Sequence, residues 1–238
     1  MDAANELSET KMGLLLAAER LFATQGIAAT TIRQINTEAG QKNSSAIHYH
    51  FGSRDAILDA IVALRVTPAN QERAKLLEDA RREAGDKPLT TDRIVHLLMD
   101  PGINRLMHTQ GPHFSQRFIL QLRMNFDTWR RYEREHLAWT LDDLQFELRR
   151  ARPYVPVQVL RSRFRSAINF SMFSMAEIEV AENRLGDRFS RDEAEFRIEE
   201  LISSLIAIID APITPGTAAS LEKVMSSGKG APPGFLTE

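Results

Sequence analysis

Thr30-Thr31-Ile32-Arg33-Gln34-Ile35-Asn36-Thr37-Glu38-Ala39-Gly40-Gln41-Lys42-Asn43-Ser44-Ser45-Ala46-Ile47-His48-Tyr49-His50-Phe51 reads as two short helices joined by a tight turn. Thr31 and Gln34 stand in the spacing of a capping box, so the first helix starts just before Ile32, and Ile32, Ile35 and Ala39 line its buried face. Gly40 is placed to end it, since glycine alone enters the left-handed conformation at little cost. The polar run Asn43-Ser44-Ser45 then offers side-chain oxygens to cap a second helix. That helix is unusually polar and aromatic, and the pair has the outline of a helix-turn-helix.

Working outward, Leu14, Ala17, Ala18, Leu21 and Phe22 recur at helical spacing ahead of Gly26, which predicts a helix from Ser8 or Thr10 to Gln25. Residues 1 to about 9 are polar and expected to be mobile. After the motif, Ser53 is placed to cap a further helix with the face Ile57, Leu58, Ile61 and Val62, expected to end or bend at Val66-Thr67-Pro68. A charged surface helix follows from Ala69 to Ala84, and another from Thr91 or Asp92 to a break at Asp100-Pro101-Gly102. A short helix is expected around Ile103 to His108. His113 to Ala151 is the longest uninterrupted stretch, read as two helices meeting near Arg130 to Glu133.

Helices at Val157 to Asn183 and Arg191 to Asp210 complete the regular structure, and no stretch reads as a strand. Both carry apolar residues on more than one face, which predicts burial on two sides: one against the chain itself, the other against a second copy across a two-fold axis. The residues assigned to that interface are Phe164, Ile168, Met172, Met175, Ile198, Leu201, Ile202, Leu205 and Ile209. Residues 212–238 are rich in Pro, Gly and Ser and read as a flexible tail, with a short helix at Ala218 to Met225.

Composition narrows the function classes. The chain has 238 residues, 43% hydrophobic and 26% charged, enough for a sizeable core. No cysteine occurs, which excludes disulfides and thiolate chemistry, and the acidic start argues against a signal peptide. No stretch is long enough to span a bilayer, so a cytoplasmic protein without membrane partners is expected. The net charge of −2 does not advertise a polyanionic partner. Distribution says more: between Thr30 and Arg54 the sole acid, Glu38, faces Arg33, Lys42 and Arg54.

In order along the chain, Leu21-Phe22, Gly26, Thr30-Thr31, Ile35, Ala39-Gly40 and Tyr49-His50-Phe51-Gly52-Ser53-Arg54, followed by an apolar helix, resemble the TetR family of ligand-responsive transcription regulators. The resemblance covers roughly Lys11 to Ala63, a quarter of the chain. It implies an all-α fold: an N-terminal three-helix DNA-binding domain with the helix-turn-helix at 1–55, a larger helical ligand-binding and dimerisation domain at 56–211, and the tail at 212–238. It also implies a homodimer, a repressor by family default, on a palindromic double-stranded DNA operator. The second helix of such a motif sets its first side chains against base edges in the major groove. Here these are Asn43, Ser44, Ser45 and His48, with Tyr49, His50, Thr31, Arg33, Lys42 and Arg54 placed for phosphates. Between Ala39-Gly40 and His50-Phe51 the chain is one residue longer than the usual family spacing and lacks the common Val-Ser, which leaves the register of residues 41–45 open.

Family members enclose a small-molecule pocket in the larger domain, which implies a ligand, largely apolar, and no cofactor. Met and aromatic side chains suit an adaptable cavity. The candidate lining is Met99, Met107, Phe114, Phe118, Leu122, Phe126 and Trp129, with His96, Arg117, Gln121 and Asn125 as polar contacts, although ordinary core accounts for most of these. His48 and His50, two apart on a helix, point in different directions and make no metal site. A catalytic role has little support: the chain has no Cys nucleophile, glycine-rich phosphate loop or G-x-S-x-G elbow. A protein that keeps the DNA-binding fold but acts through protein partners is the alternative reading.

Overall fold

The computed structural model describes residues 3–41, 46–109, 111–132 and 138–227. Every element among them is helical: α1 (Ala3–Gln25), α2 (Ile32–Glu38), α3 (Ala46–His50), α4 (Arg54–Ala84), α5 (Thr91–His108), α6 (Ser115–Met124), α7 (Phe126–Tyr132), α8 (Ala138–Ala151), α9 (Val157–Leu185), α10 (Arg191–Asp210) and α11 (Pro215–Ser226). None of these helices is by itself long and apolar enough to cross a membrane.

The chain gathers into two compact units, each assembled from three segments. The first comprises Met1–Ala69, Thr109–Arg131 and Ala176–Phe189. Here α1 packs on α2 and α6, burying Leu14, Ala18 and Phe22, with the Phe22 and Phe118 rings 6.4 Å apart. Glu19 of α1, almost fully buried, takes both Nε and Nη2 of Arg65 from α4 at 2.7 and 2.6 Å. Glu179 of α9, wholly buried, accepts the first free amides of α6, from Gln116 at 2.7 Å and Arg117 at 3.0 Å. A carboxylate there answers both the orphan N–H groups and the positive end of the helix dipole. Burial nevertheless pushes its pKa up to about 7; the two amide bonds and Arg117 pull the other way, and the Glu19 charge adds to the rise.

The second unit comprises Asn70–His108, Tyr132–Met175 and Ser190–Glu238. Here α5 packs on α8 and α10. Ala194, Ile198, Leu201, Ile202, Leu205 and Ile209 form one buried stripe of α10. Its last turn is held by Arg152, whose Nε and Nη2 grip Asp210 at 2.9 and 2.6 Å, and by Thr91, which donates to the same carboxylate at 2.9 Å. Glu147 of α8, nearly inaccessible, accepts from Arg81 at 2.8 Å and Arg150 at 3.1 Å.

Several element boundaries differ from the sequence reading, three of them for an identifiable reason. The helix begun at Arg54 does not end at Pro68 but runs to Ala84. Pro68 is exposed while Val66 and Asn70 remain buried, so the proline sits on the solvent side of the helix. Likewise α5 passes through Pro101 instead of breaking at Asp100-Pro101-Gly102. The proline leaves the Leu97 carbonyl without its helical donor, and Arg73 of α4 supplies one: its Nε donates to Leu97 O and its Nη2 to Leu98 O, each at 3.2 Å, while Nη1 donates to Asn70 Oδ1 at 2.7 Å. Burial lowers the Arg73 guanidinium to about 10, partly opposed by Glu72, so it stays charged at neutral pH. Among the described residues, the stretch read as two helices from His113 to Ala151 holds three, because the chain leaves helical geometry at Asn125 (φ −90°, ψ 90°). There the Asn125 side chain accepts from Thr128 N at 3.3 Å and starts α7 anew. The first helix begins at Ala3 rather than at Ser8 or Thr10.

Candidate nucleic-acid interface

The geometry of Thr30 to Phe51 follows from its two ends. At the start of α2 both arms of the capping box form: Gln34 N donates to Thr31 Oγ1 at 3.2 Å, and Thr31 N donates to Gln34 Oε1 at 2.8 Å. At its end Gly40 takes φ +66°. Gly40 N donates to Thr37 O at 3.0 Å and Gln41 N to Asn36 O at 2.9 Å, the paired bonds of a Schellman closure. Ile35 and Ile47 are inaccessible, which fixes α2 and α3 on the core of the first unit.

That anchoring leaves one side of α3 in solvent. Tyr49 is 76% exposed, and its ring meets the His50 ring edge to face at 5.0 Å. His48 is exposed, with Nδ1 3.0 Å from the Gly52 carbonyl. Thr31 and Arg33 are exposed at the first turn of α2. Lys42, Asn43, Ser44 and Ser45 lie outside the described residues. The motif's acid is neutralised: Glu38 accepts from Arg20 Nη1 of α1 at 2.6 Å, which leaves the surface more positive than the sequence count implies. Nothing in the sequence marked Arg20 as the partner, since 18 residues separate the two.

Arg54 lies differently from the other expected phosphate contacts. Its guanidinium sits over the Phe22 ring, 5.5 Å from the centroid, and its buried Nε and Nη2 have no hydrogen-bond acceptor among the described residues. It lines a cavity of about 310 Å³ that also includes Asn125.

The other candidate residues are dispersed. His96, Met99 and Met107 belong to the second unit, whereas Phe114, Arg117, Phe118, Gln121, Leu122, Asn125, Phe126 and Trp129 belong to the first. Phe118, Leu122 and Trp129 are core, while Phe126 is 60% exposed with Arg130 over its ring. The residues assigned to a dimer interface are placed inward: Phe164, Ile168, Met175, Ile198, Leu201, Ile202, Leu205 and Ile209 are all buried within the single chain, and Met172 is half-buried. Periodicity showed that α9 and α10 have two apolar faces but not which one turns inward. The most exposed aromatic side chains of these two helices are Phe170 and Phe173 of α9 and Phe196 of α10, exposed by 41, 53 and 67%.

Residues 14–61 match the family described as bacterial regulatory proteins, tetR family. The family match is confined to this N-terminal segment. Among solved structures, AmtR of Mycobacterium smegmatis is similar at a TM-score of 0.50 and 20% identity, over 88% of this chain and 92% of that one. At that identity the likeness is one of fold. Among curated proteins none matches the sequence.

Proposed function

We propose that this TetR-family chain represses transcription as a homodimer, each copy setting its α3 into the major groove of one half of a palindromic operator, with a small-molecule ligand governing affinity. The observation that carries the reading is the pairing of a doubly capped α2 with an α3 whose apolar side is anchored by Ile47 and whose Tyr49 stands 76% exposed beside His50. In this reading Tyr49, His50, Thr31 and Arg33 fix the protein on phosphates, while His48 and the residues ahead of Ala46 read bases. The preceding Asn43, Ser44 and Ser45 include no Arg or Lys, the commonest guanine readers. Specificity then rests on Asn, Ser and His hydrogen bonding and on DNA shape.

A dimer is what gives such a modestly charged motif its affinity. Two recognition helices must match half-sites about 34 Å apart, or a multiple of that distance. A ligand acts only by favouring one spacing over another. We assign the contact between copies to the outward faces of α9 and α10, with Phe170, Phe173 and Phe196 at its centre. Gel-shift titration of the full chain on its selected DNA tests the reading. Tyr49→Ala is expected to weaken binding at least ten-fold with little change in melting temperature. Equal affinity of the variant and the parent would remove Tyr49 from the interface.

A further inference from the structure

His48 is the middle residue of α3, and its side chain lies in solvent. Its ring is nevertheless tied down. Gly52 takes φ +79°, a conformation glycine holds without strain, and closes α3 by donating its N–H to the carbonyls of Ile47 at 3.2 Å and His48 at 3.1 Å. The carbonyl of the same glycine lies 3.0 Å from His48 Nδ1. His48 and Gly52 are thus joined twice, once through the backbone and once through the ring, and the imidazole is oriented by the turn that ends the helix.

A carbonyl oxygen only accepts, so the nitrogen that faces it carries the proton. In the neutral ring this decides the other nitrogen too: Nε2 is bare and presents a lone pair. The two nitrogens of an imidazole point in nearly opposite directions, so with Nδ1 turned back on Gly52, Nε2 points away from that carbonyl on an exposed residue. Among the described residues His48 makes no other side-chain hydrogen bond. Phosphate oxygens are acceptors, and a bare nitrogen has nothing to donate to them. Base edges in the major groove do offer donors: N6 of adenine and N4 of cytosine. Guanine and thymine place the acceptors O6 and O4 there instead.

Resting on the proposed operator binding, we propose that His48 determines specificity as a reader of amino bases. Its Nε2 accepts from N6 of an adenine or N4 of a cytosine at one position of each half-site and disfavours guanine and thymine there, because the Gly52 carbonyl holds the ring in the tautomer that accepts outward.

The tautomer is read without DNA, by nitrogen-15 NMR of the histidine rings in the full chain at about pH 8, where an imidazole is ordinarily neutral. The signals that His48→Ala removes should be those of a protonated Nδ1 and a bare Nε2, and the opposite tautomer overturns the proposal. At the same pH the selected operator is titrated with each of the four bases placed in turn at every position of the half-site. One position should bind adenine or cytosine at least about five-fold more tightly than guanine or thymine. His48→Ala should level the four bases at that position alone, with the melting temperature unchanged. His48→Lys, whose ammonium only donates, should turn the preference to guanine or thymine, and it decides the matter if His48→Ala fails to fold. Absence of an amino-base position, its survival in both folded variants, or a uniform loss of affinity with the base ratios unchanged overturns the contact. A chain that binds no DNA refutes the proposed function and the base contact with it, whereas DNA binding with the wrong base ratios refutes the base contact alone.

Discussion

Glu179 shows how much a single side chain can carry without any local sequence signal. Its carboxylate closes the start of α6 from a position more than sixty residues away, and burial raises its pKa to about 7. Because the folded value lies above the ordinary 4.5, the folded chain holds a proton that the unfolded chain has lost between those two pH values. Its contribution to stability is therefore greatest at the acid end, declines as pH rises to about 7 and is level above. Relative to Glu179→Gln, which does not titrate, wild type should lose roughly 3 kcal/mol between pH 4.5 and 7. Urea unfolding of both proteins across that range measures the difference, and a flat difference contradicts the assignment. Arg54 belongs at this scale too. Its place after Phe51-Gly52-Ser53 makes it legible as a phosphate contact, but the Phe22 ring that covers it lies 32 positions earlier, and no spacing rule reaches that far.

At the scale of elements, what the sequence made legible was what neighbours in the chain determine. The capping box at Thr31 and Gln34, the closure at Gly40, the Ser53 cap on Ala56 N and the span of α10 all depend on residues within a few positions, and all are present. The prolines were misread because their cost is met from outside. Pro101 is tolerated in α5 because Arg73, on another helix, donates to the Leu97 and Leu98 carbonyls. Arg73→Met should therefore cost about 3 kcal/mol of stability, since it strands buried carbonyls. Pro101→Ala restores a backbone donor for Leu97 O, so in that background the same substitution should cost at least about 1 kcal/mol less. A double-mutant cycle by denaturant unfolding checks the coupling, and strict additivity would contradict it. The break at Asn125 was missed for the opposite reason: Phe126 and Trp129 continue the apolar pattern across it, and only the Asn125 side chain bonded to Thr128 N marks a new helix start.

For the molecule as a whole, the all-helical class and the family likeness of residues 14–61 were legible because the N-terminal motif is an ordered set of local signals. Which apolar face of α9 and α10 points outward was not, because both faces satisfy the same periodicity. The structure turns Leu205 inward and leaves Phe173 and Phe196 out, which sets a sharp contrast. Phe173→Glu and Phe196→Glu together should convert the proposed homodimer to a folded monomer. Leu205→Glu should unfold the chain, since it buries an unpaired charge. Sedimentation with circular dichroism on both proteins separates the outcomes, and a double variant that remains dimeric would place the interface elsewhere. A molecule that reads a DNA sequence should select particular fragments of its own genome when the purified full chain is offered them all. The expected result is enrichment of a few sites that share a two-fold symmetric sequence, with half-sites about one helical turn or a multiple apart and affinity falling steeply with salt. Recovery of fragments with no shared sequence, bound no more tightly than random DNA, would contradict it.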